Sequence, residues 1–289
     1  MKNLTLRNIA RVCGGIYHGS GDNADTEAVK IITDSRMASP GCVFIPIVGE
    51  RADGHTFIPD VMKKGALGTL SERELPEADF PYVQVESSLQ ALKDIAEFYL
   101  QQVGIPVVGV TGSVGKTSTK EVIAAVLKEK YQVLKTQGNF NNEIGLPLTI
   151  FRITPEDEIA VLEMGINHFG EMTRLAKIAR PDTCVITNIG PCHLEFLGDR
   201  DGVLKAKTEI FQYMKVRKER SALRCSEFFF LSFTASNRCA RRASQTKRSF
   251  PLRTIARMGL EMIRFSKKIR DRNGIYSPIM ASCRATLEV

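Results

Sequence analysis

Apolar positions along this chain fall into two regimes. In the first, they recur at spacings that name elements. Leu4, Leu6, Ile9, Ala10 and Cys13 follow helical spacing, and Gly14-Gly15 ends the run. Val29 to Ile32 and Cys42 to Val48 read as short strands, with Ser39-Pro40-Gly41 as a turn between them. Phe57, Val61 and Met62 predict a helix that stops near Gly65. Tyr82 to Val85 reads as another strand, and Leu89, Leu92, Ile95, Ala96 and Tyr99 as a strongly amphipathic helix. Beyond Gly104 to Pro106 the alternation sharpens. Val107 to Thr111, Ile159 to Glu163 and Thr183 to Thr187 are buried-type strands. Helical stretches follow them at Thr117 to Lys130, Phe169 to Ala179 and Asp201 to Met214, with Arg180-Pro181-Asp182 as a breaker. Alternation of this kind predicts an α/β chain with a parallel sheet covered by helices.

The second regime starts near residue 216. It has one dense apolar cluster, Phe228 to Leu231, a possible helix over Arg257 to Lys268, and no strand–helix alternation. Composition changes at the same point. The formal charge of the 289-residue chain is +8, which would ordinarily suggest nucleic acid or an anionic surface as partner. Residues 1–215, however, carry 23 basic and 27 acidic side chains, a net of −4, while residues 216–289 carry 17 and 5, a net of +12. Arginine outnumbers lysine 13 to 4 in that last segment and only two of the 22 glycines lie in it, so it is a different object from the body. The chain therefore divides into residues 1–102, 103–215 and an Arg-rich tail, 216–289, expected to be poorly ordered. An apolar content of 43% rules out wholesale disorder. No apolar stretch reaches about 18 residues, and the N-terminus lacks a signal-peptide core, so a cytoplasmic protein without a membrane span is expected. Seven cysteines without a CxxC pair read as ordinary thiols.

The strongest chemical signal is Val107-Val108-Gly109-Val110-Thr111-Gly112-Ser113-Val114-Gly115-Lys116-Thr117-Ser118. A strand runs into a glycine-rich turn that opens a helix. Glycines let backbone wrap close to phosphate oxygens, and the N–H groups of a helix start point at the anion. Lys116 supplies a cation for the β and γ phosphates, and Thr117 a hydroxyl for Mg²⁺. Val110 stands where the longer GxxxxGK[ST] pattern has its first glycine, leaving the shorter GxxGKT form. An ordinary strand–turn–helix with a surface lysine is the bland alternative. Glu163 ends a strand, where a carboxylate beside a phosphate loop is suited to Mg²⁺. Alone it would be a strand-end acid. By themselves, His193 would be structural or solvated, Lys205 and Lys207 a solvated helix face, and the run Gly138 to Gly145 a turn or a polar substrate loop.

Taken together and in this order, TGSVGKTS, GNFNNEIGLP, VLEMGINHFGE, TNIGPCHLE and KAKTEIF resemble the Mur ligases, ATP-dependent amide ligases that build the peptidoglycan peptide. The GNxNNxIGxP and ExGxNHxGE forms resemble the member that adds D-Ala-D-Ala. Thr33-Asp34-Ser35-Arg36, Pro40 to Phe44 and Gly49-Glu50-Arg51 resemble the family's uridine-nucleotide domain. The resemblance covers about residues 1–215. It implies a small N-terminal α/β uridine-nucleotide domain and an incomplete phosphate-loop parallel-sheet ATPase domain, with the C-terminal Rossmann-like domain absent.

Roles for individual residues follow from the resemblance. Gly112, Ser113, Val114, Gly115, Lys116, Thr117 and Ser118 would bind ATP. Thr117, Glu163, His193 and Lys207 would serve Mg²⁺, Lys207 as a carbamate, and Lys116, Glu163, His193 and Lys207 would be the catalytic set. Asn139, Asn141 and Asn142 would line the junction of ATP and acceptor peptide, and Ser35 and Arg36 would contact UDP. The substrates implied are UDP-N-acetylmuramoyl-tripeptide and D-Ala-D-Ala, handled by a monomer without nucleic acid. The tripeptide carboxylate attacks the γ-phosphate of ATP, and the D-Ala-D-Ala amine displaces phosphate from the acyl phosphate. Cys192 and Asp199 depart from the family's usual alanine and serine.

Other readings stay open: a sister ligase of the folylpolyglutamate type, another phosphate-loop ATPase, or a non-enzymatic fragment with a basic RNA- or membrane-binding tail. The tail is expected to be an out-of-frame translation or unrelated fusion, leaving an exposed sheet edge and little or no ligase activity in this chain alone. Reading the gene in its two other frames after codon 215 checks this. Ligase-like segments should resume in one of them, and their absence from both removes the frameshift explanation.

Overall fold

The computed structural model describes residues 1–49 and 52–214, together with the backbone of Phe229–Phe230. Readings of the tail otherwise lie outside the described residues, as do Glu50 and Arg51. In chain order the first part comprises α1 (Leu6–Cys13), β1 (Ile16–His18), α2 (Gly21–Ala24), β2 (Lys30–Ile32), β3 (Cys42–Phe44), α3 (Ile58–Lys63), β4 (Gly68–Ser71), β5 (Tyr82–Gln84) and α4 (Ser88–Val103). The second comprises β6 (Val107–Thr111), α5 (Lys116–Lys128), β7 (Val133–Lys135), α6 (Gly145–Ile150), β8 (Ile159–Glu163), α7 (Glu171–Ala179), β9 (Thr183–Ile186), α8 (Leu194–Leu197), α9 (Arg200–Thr208) and β10 (Phe229–Phe230).

Two five-stranded sheets result, ordered β1-β5-β4-β3-β2 and β10-β9-β6-β8-β7. In the first, only the β1–β5 pair is antiparallel. The second is parallel throughout, with β6 between β8 and β9. Its central strand is therefore covered on both edges, and its sequence is correspondingly apolar without alternation. The sheet edge at β9 is not left unpaired as expected: Phe229 and Phe230 pair with Val185 and Ile186.

Local chemistry explains the element ends. The Thr5 hydroxyl accepts from the Asn8 N–H at the start of α1, and Ser87 does the same for Gln90 at α4. Gly14 and Gly104 close these helices in the left-handed conformation. The strand expected over Cys42 to Val48 stops at Phe44. Ile45 still donates to the Ile32 carbonyl, but Pro46 has no N–H to continue the ladder. α6 starts where the expected polar turn, Gly138 to Gly145, ends, over residues for which no element was expected; its proline, Pro147, sits in the first turn, where a missing N–H costs nothing.

Helix α4 joins the two parts. Leu92, Ile95, Ala96, Tyr99 and Leu100 belong to one apolar cluster that also holds Leu6, Val43 and Leu70 from the first part and Val107, Leu146, Leu162 and Leu175 from the second. Polar contacts fix the orientation: the Tyr99 hydroxyl donates to the Ile153 carbonyl at 2.9 Å, and Arg180 donates to Glu97 at 2.5 Å. No helix among the described residues is long and apolar enough to cross a membrane.

Tyr99 and Ile153 are both buried, so removing the hydroxyl strands a carbonyl without a partner. Tyr99→Phe is expected to destabilise the chain by about 1–3 kcal/mol, measured by urea unfolding. A midpoint equal to wild type would remove this bond from the account.

Candidate functional site

The glycine turn after β6 is shaped by the segment that follows β9. Gly112 has φ 146°, and a Cβ there would lie 1.9 Å from the Thr187 hydroxyl oxygen. Only glycine fits so close an approach. Thr187 in turn donates to the Val114 carbonyl at 2.6 Å. Ser113 donates its N–H to the Asn188 carbonyl, and the Asn188 side-chain oxygen accepts from the Val114 N–H. The Ser113 hydroxyl bridges the Gly190 carbonyl and N–H, each at 3.0 Å. The loop is thus stapled to its neighbouring strand's exit before Gly115, at φ 81°, starts α5.

Helix α5 then presents Lys116, Thr117 and Lys120 toward the sheet's carboxyl end. Lys116 donates to the Gly112 carbonyl at 2.9 Å, closing the loop on itself. Glu163, the last residue of β8, is 1% exposed. Its Oε1 accepts from Asn141 at 2.9 Å and from the Thr117 hydroxyl at 3.3 Å. Its Oε2 accepts no hydrogen bond, but the buried Lys120 ammonium lies 3.5 Å away. Its backbone N–H is held by Thr136. Ser113 to Ser118, Asn139, Asn141 and Glu163 line one cavity of about 380 Å³.

The structure thus brings together the loop, Glu163 and two of the three asparagines. Asn142 is not in the lining: its side-chain oxygen accepts from the Ile144 and Gly145 N–H groups and starts α6. His193 is exposed, heads α8 at φ 51°, and does not line the cavity. Lys207, expected on a helix, is on α9 but buried rather than solvated. Burial pushes its amine down from 10.5 to about 8; Cys192 opposes that shift and Lys116 reinforces it. Ser35 and Arg36 lie elsewhere, in a short 3-10 turn after β2, where the Arg36 guanidinium pairs with Asp34 at 2.7 Å and holds that carboxyl at about 2.

The two departures fit locally. The Cys192 thiol donates to the Ser113 hydroxyl, and the Asp199 side chain accepts from the Gly202 N–H as a serine would at the start of α9. Sequence reasoning missed Lys120, although its spacing with the buried Ile123 and Ala124 puts it on the inward stripe of α5. It also missed Thr187 and Asn188, which sequence alone does not tie to the loop.

Among the described residues no three His, Cys, Asp or Glu side chains form a metal cage. Thr117 and Glu163 are nevertheless hard oxygen donors, and Glu163 keeps a buried oxygen without a hydrogen bond. This suits Mg²⁺, which takes few protein ligands and completes its shell with phosphate and water.

Comparison with known proteins agrees with this geometry. Residues 110–224 match the Mur ligase middle domain. The chain is 43% identical over 213 residues to the UDP-N-acetylmuramoyl-tripeptide–D-alanyl-D-alanine ligase of Bacillus subtilis, covering 73% of this chain and 46% of that protein. The crystal structure of MurF from Acinetobacter baumannii superposes with a TM-score of 0.68 at 34% identity, over 73% of this chain and 46% of that one. MurF from Thermotoga maritima, solved with ADP, gives 0.60 at 41% identity over 64% and 43%. The chain thus spans a little under half the length of the relatives it matches. Over residues 110–224 it matches the Mur ligase middle domain, and over the longer matched stretch it resembles the ligases of that family.

Proposed function

We propose that this chain carries the ATP-binding and uridine-nucleotide portions of a ligase that joins D-Ala-D-Ala to UDP-N-acetylmuramoyl-tripeptide. The observation that carries this reading is the convergence of the Thr117 hydroxyl, the Asn141 amide and the buried Glu163 carboxylate at the mouth of the glycine loop. Relatives at 43% and 40% identity bear that ligase's name, which supports the choice of substrates.

In this reading residues 103–215 form the ATP domain and residues 1–102 the uridine-nucleotide domain, with Ser35 and Arg36 contacting UDP. Gly112 to Ser118 cradle the phosphates through backbone N–H groups, and Lys116 exchanges its bond to the Gly112 carbonyl for a phosphate oxygen. Thr117 and Glu163 would hold Mg²⁺, with the carbamate of Lys207 as a further ligand; His193, exposed and outside the cavity lining, would have to turn inward to join them. Bound Mg²⁺ neutralises charge on the transferring phosphoryl group. Asn139 and Asn141 orient the acceptor carboxylate. That carboxylate attacks the γ-phosphorus, ADP leaves, and the D-Ala-D-Ala amine displaces phosphate from the acyl phosphate. Such transfer depends on positioning and charge neutralisation more than on a protein nucleophile.

Carbamate formation needs a neutral amine: the Lys207 nitrogen adds to the carbon of CO₂ and one proton is released. The depressed lysine value makes that form accessible. Below about pH 8 the buried amine is charged, and its burial cost is carried in full. Between about 8 and 10.5 the folded form sheds its proton first, so its contribution to stability rises with pH.

Calorimetry on the 289-residue chain should record ADP binding that strengthens with Mg²⁺. Lys116→Ala should weaken it by about 10-fold or more, the loss of one charge-assisted phosphate contact. No ADP binding by wild type would sink the reading. In ¹³C-bicarbonate at pH 8.5, the NMR spectrum should gain a carbamate resonance that Lys207→Arg lacks. A spectrum unaltered by that substitution would remove the carbamate.

A further inference from the structure

Lys120 is among the largest fully buried side chains of the described residues, and the ATP-site reading does not use it. Its ammonium is 3.5 Å from Glu163 Oε2 and 3.4 Å from Glu121 Oε1. Glu121 in turn pairs with Lys135 on β7. A line of alternating charges, Glu163, Lys120, Glu121 and Lys135, thus runs from the cavity toward the surface.

Thr117 and Lys120 are three residues apart on α5 and so share a face. They take opposite oxygens of one carboxylate. Thr117 and Asn141 hold Oε1 by hydrogen bonds, and Lys120 attracts Oε2 by charge alone. Burying such an ion pair is a poor way to gain stability, since apolar residues of similar volume do as well or better. Its geometric effect is specific: the carboxylate plane is fixed between helix and asparagine loop.

We infer that Lys120 is a positioning residue for the Mg²⁺-nucleotide site. It holds Glu163 Oε2 while Thr117 and Asn141 hold Oε1, so that the carboxylate meets a cation in one fixed rotamer. That positioning outweighs the repulsion the ammonium adds toward the cation, so removing it weakens the Mg²⁺ effect. This inference rests on the ATP-site reading above, but concerns a residue outside the cavity lining.

The test is ADP affinity of the full chain with and without Mg²⁺, measured by calorimetry, in wild type, Lys120→Met, Lys120→Arg, Glu163→Gln and the Lys120→Met/Glu163→Gln pair. Lys120→Met should cut the Mg²⁺ enhancement by about 10-fold, as loss of an outer partner of a metal ligand does, and leave Mg²⁺-free affinity within about twofold of wild type. Lys120→Arg, which keeps the charge, should recover part of the enhancement. Because Lys120 acts through Glu163, adding Lys120→Met to Glu163→Gln should change nothing further. That last comparison holds even where Lys120→Met alone does not fold, since the pair removes both buried charges. A folded Lys120→Met chain with undiminished Mg²⁺ enhancement overturns the inference. So does a further loss of about 10-fold in the Glu163→Gln background. A wild type that binds ADP without any Mg²⁺ dependence overturns the metal reading and this inference together.

Discussion

A buried carboxylate governs the arrangement of this chain's second sheet. Glu163 sits at the end of β8 with almost no solvent, where an uncompensated charge costs several kcal/mol. Everything around it answers that cost. Thr136 holds its backbone, Asn141 and Thr117 donate to one oxygen, and Lys120 supplies a counter-charge to the other. Those partners come from β7's exit, the asparagine loop and the first two turns of α5. Satisfying one side chain therefore draws three separate segments to a single point, and that point is the wall of the cavity.

The same economy appears at larger scale in α4. Its apolar face belongs to a core shared by both sheets, while its polar edge reaches across through Glu97 to Arg180 and through Lys93 toward Glu143. Glu143 lies in the asparagine loop and also pairs with Arg174 on α7. The loop that lines the cavity is thereby tied to the helix that links the two parts of the molecule.

Much of this was legible in the sequence, for physical reasons. β6, α5, β8 and α7 are long or strongly periodic, and the glycine turn carries its own chemistry. β4 was not legible: its Gly-Thr-Leu-Ser sequence is entirely buried, without alternation, and Thr69 survives there by donating to the Phe44 and Leu70 carbonyls. β1 is three residues at a sheet edge. Within the site, a lysine in a helix is ordinarily read as solvated, which conceals Lys120 and misjudges Lys207. The resemblance groups Asn142 with Asn139 and Asn141, yet its side chain serves a helix start. Composition identifies groups able to bind; only the chain path decides which of them face the cavity.

The staple between the glycine turn and the exit of β9 bears on how the site comes into being. Its hydrogen bonds join residues 73 to 77 positions apart. Closing so long a loop is entropically costly, and contacts of that span form late. During synthesis the turn leaves the ribosome well before Thr187, Asn188 and Gly190 exist. It takes its observed shape only when β9 docks beside β6. Under the proposed function, nucleotide affinity would report sheet completion: a nascent or locally opened chain keeps every residue of the motif and still lacks the cavity's shape.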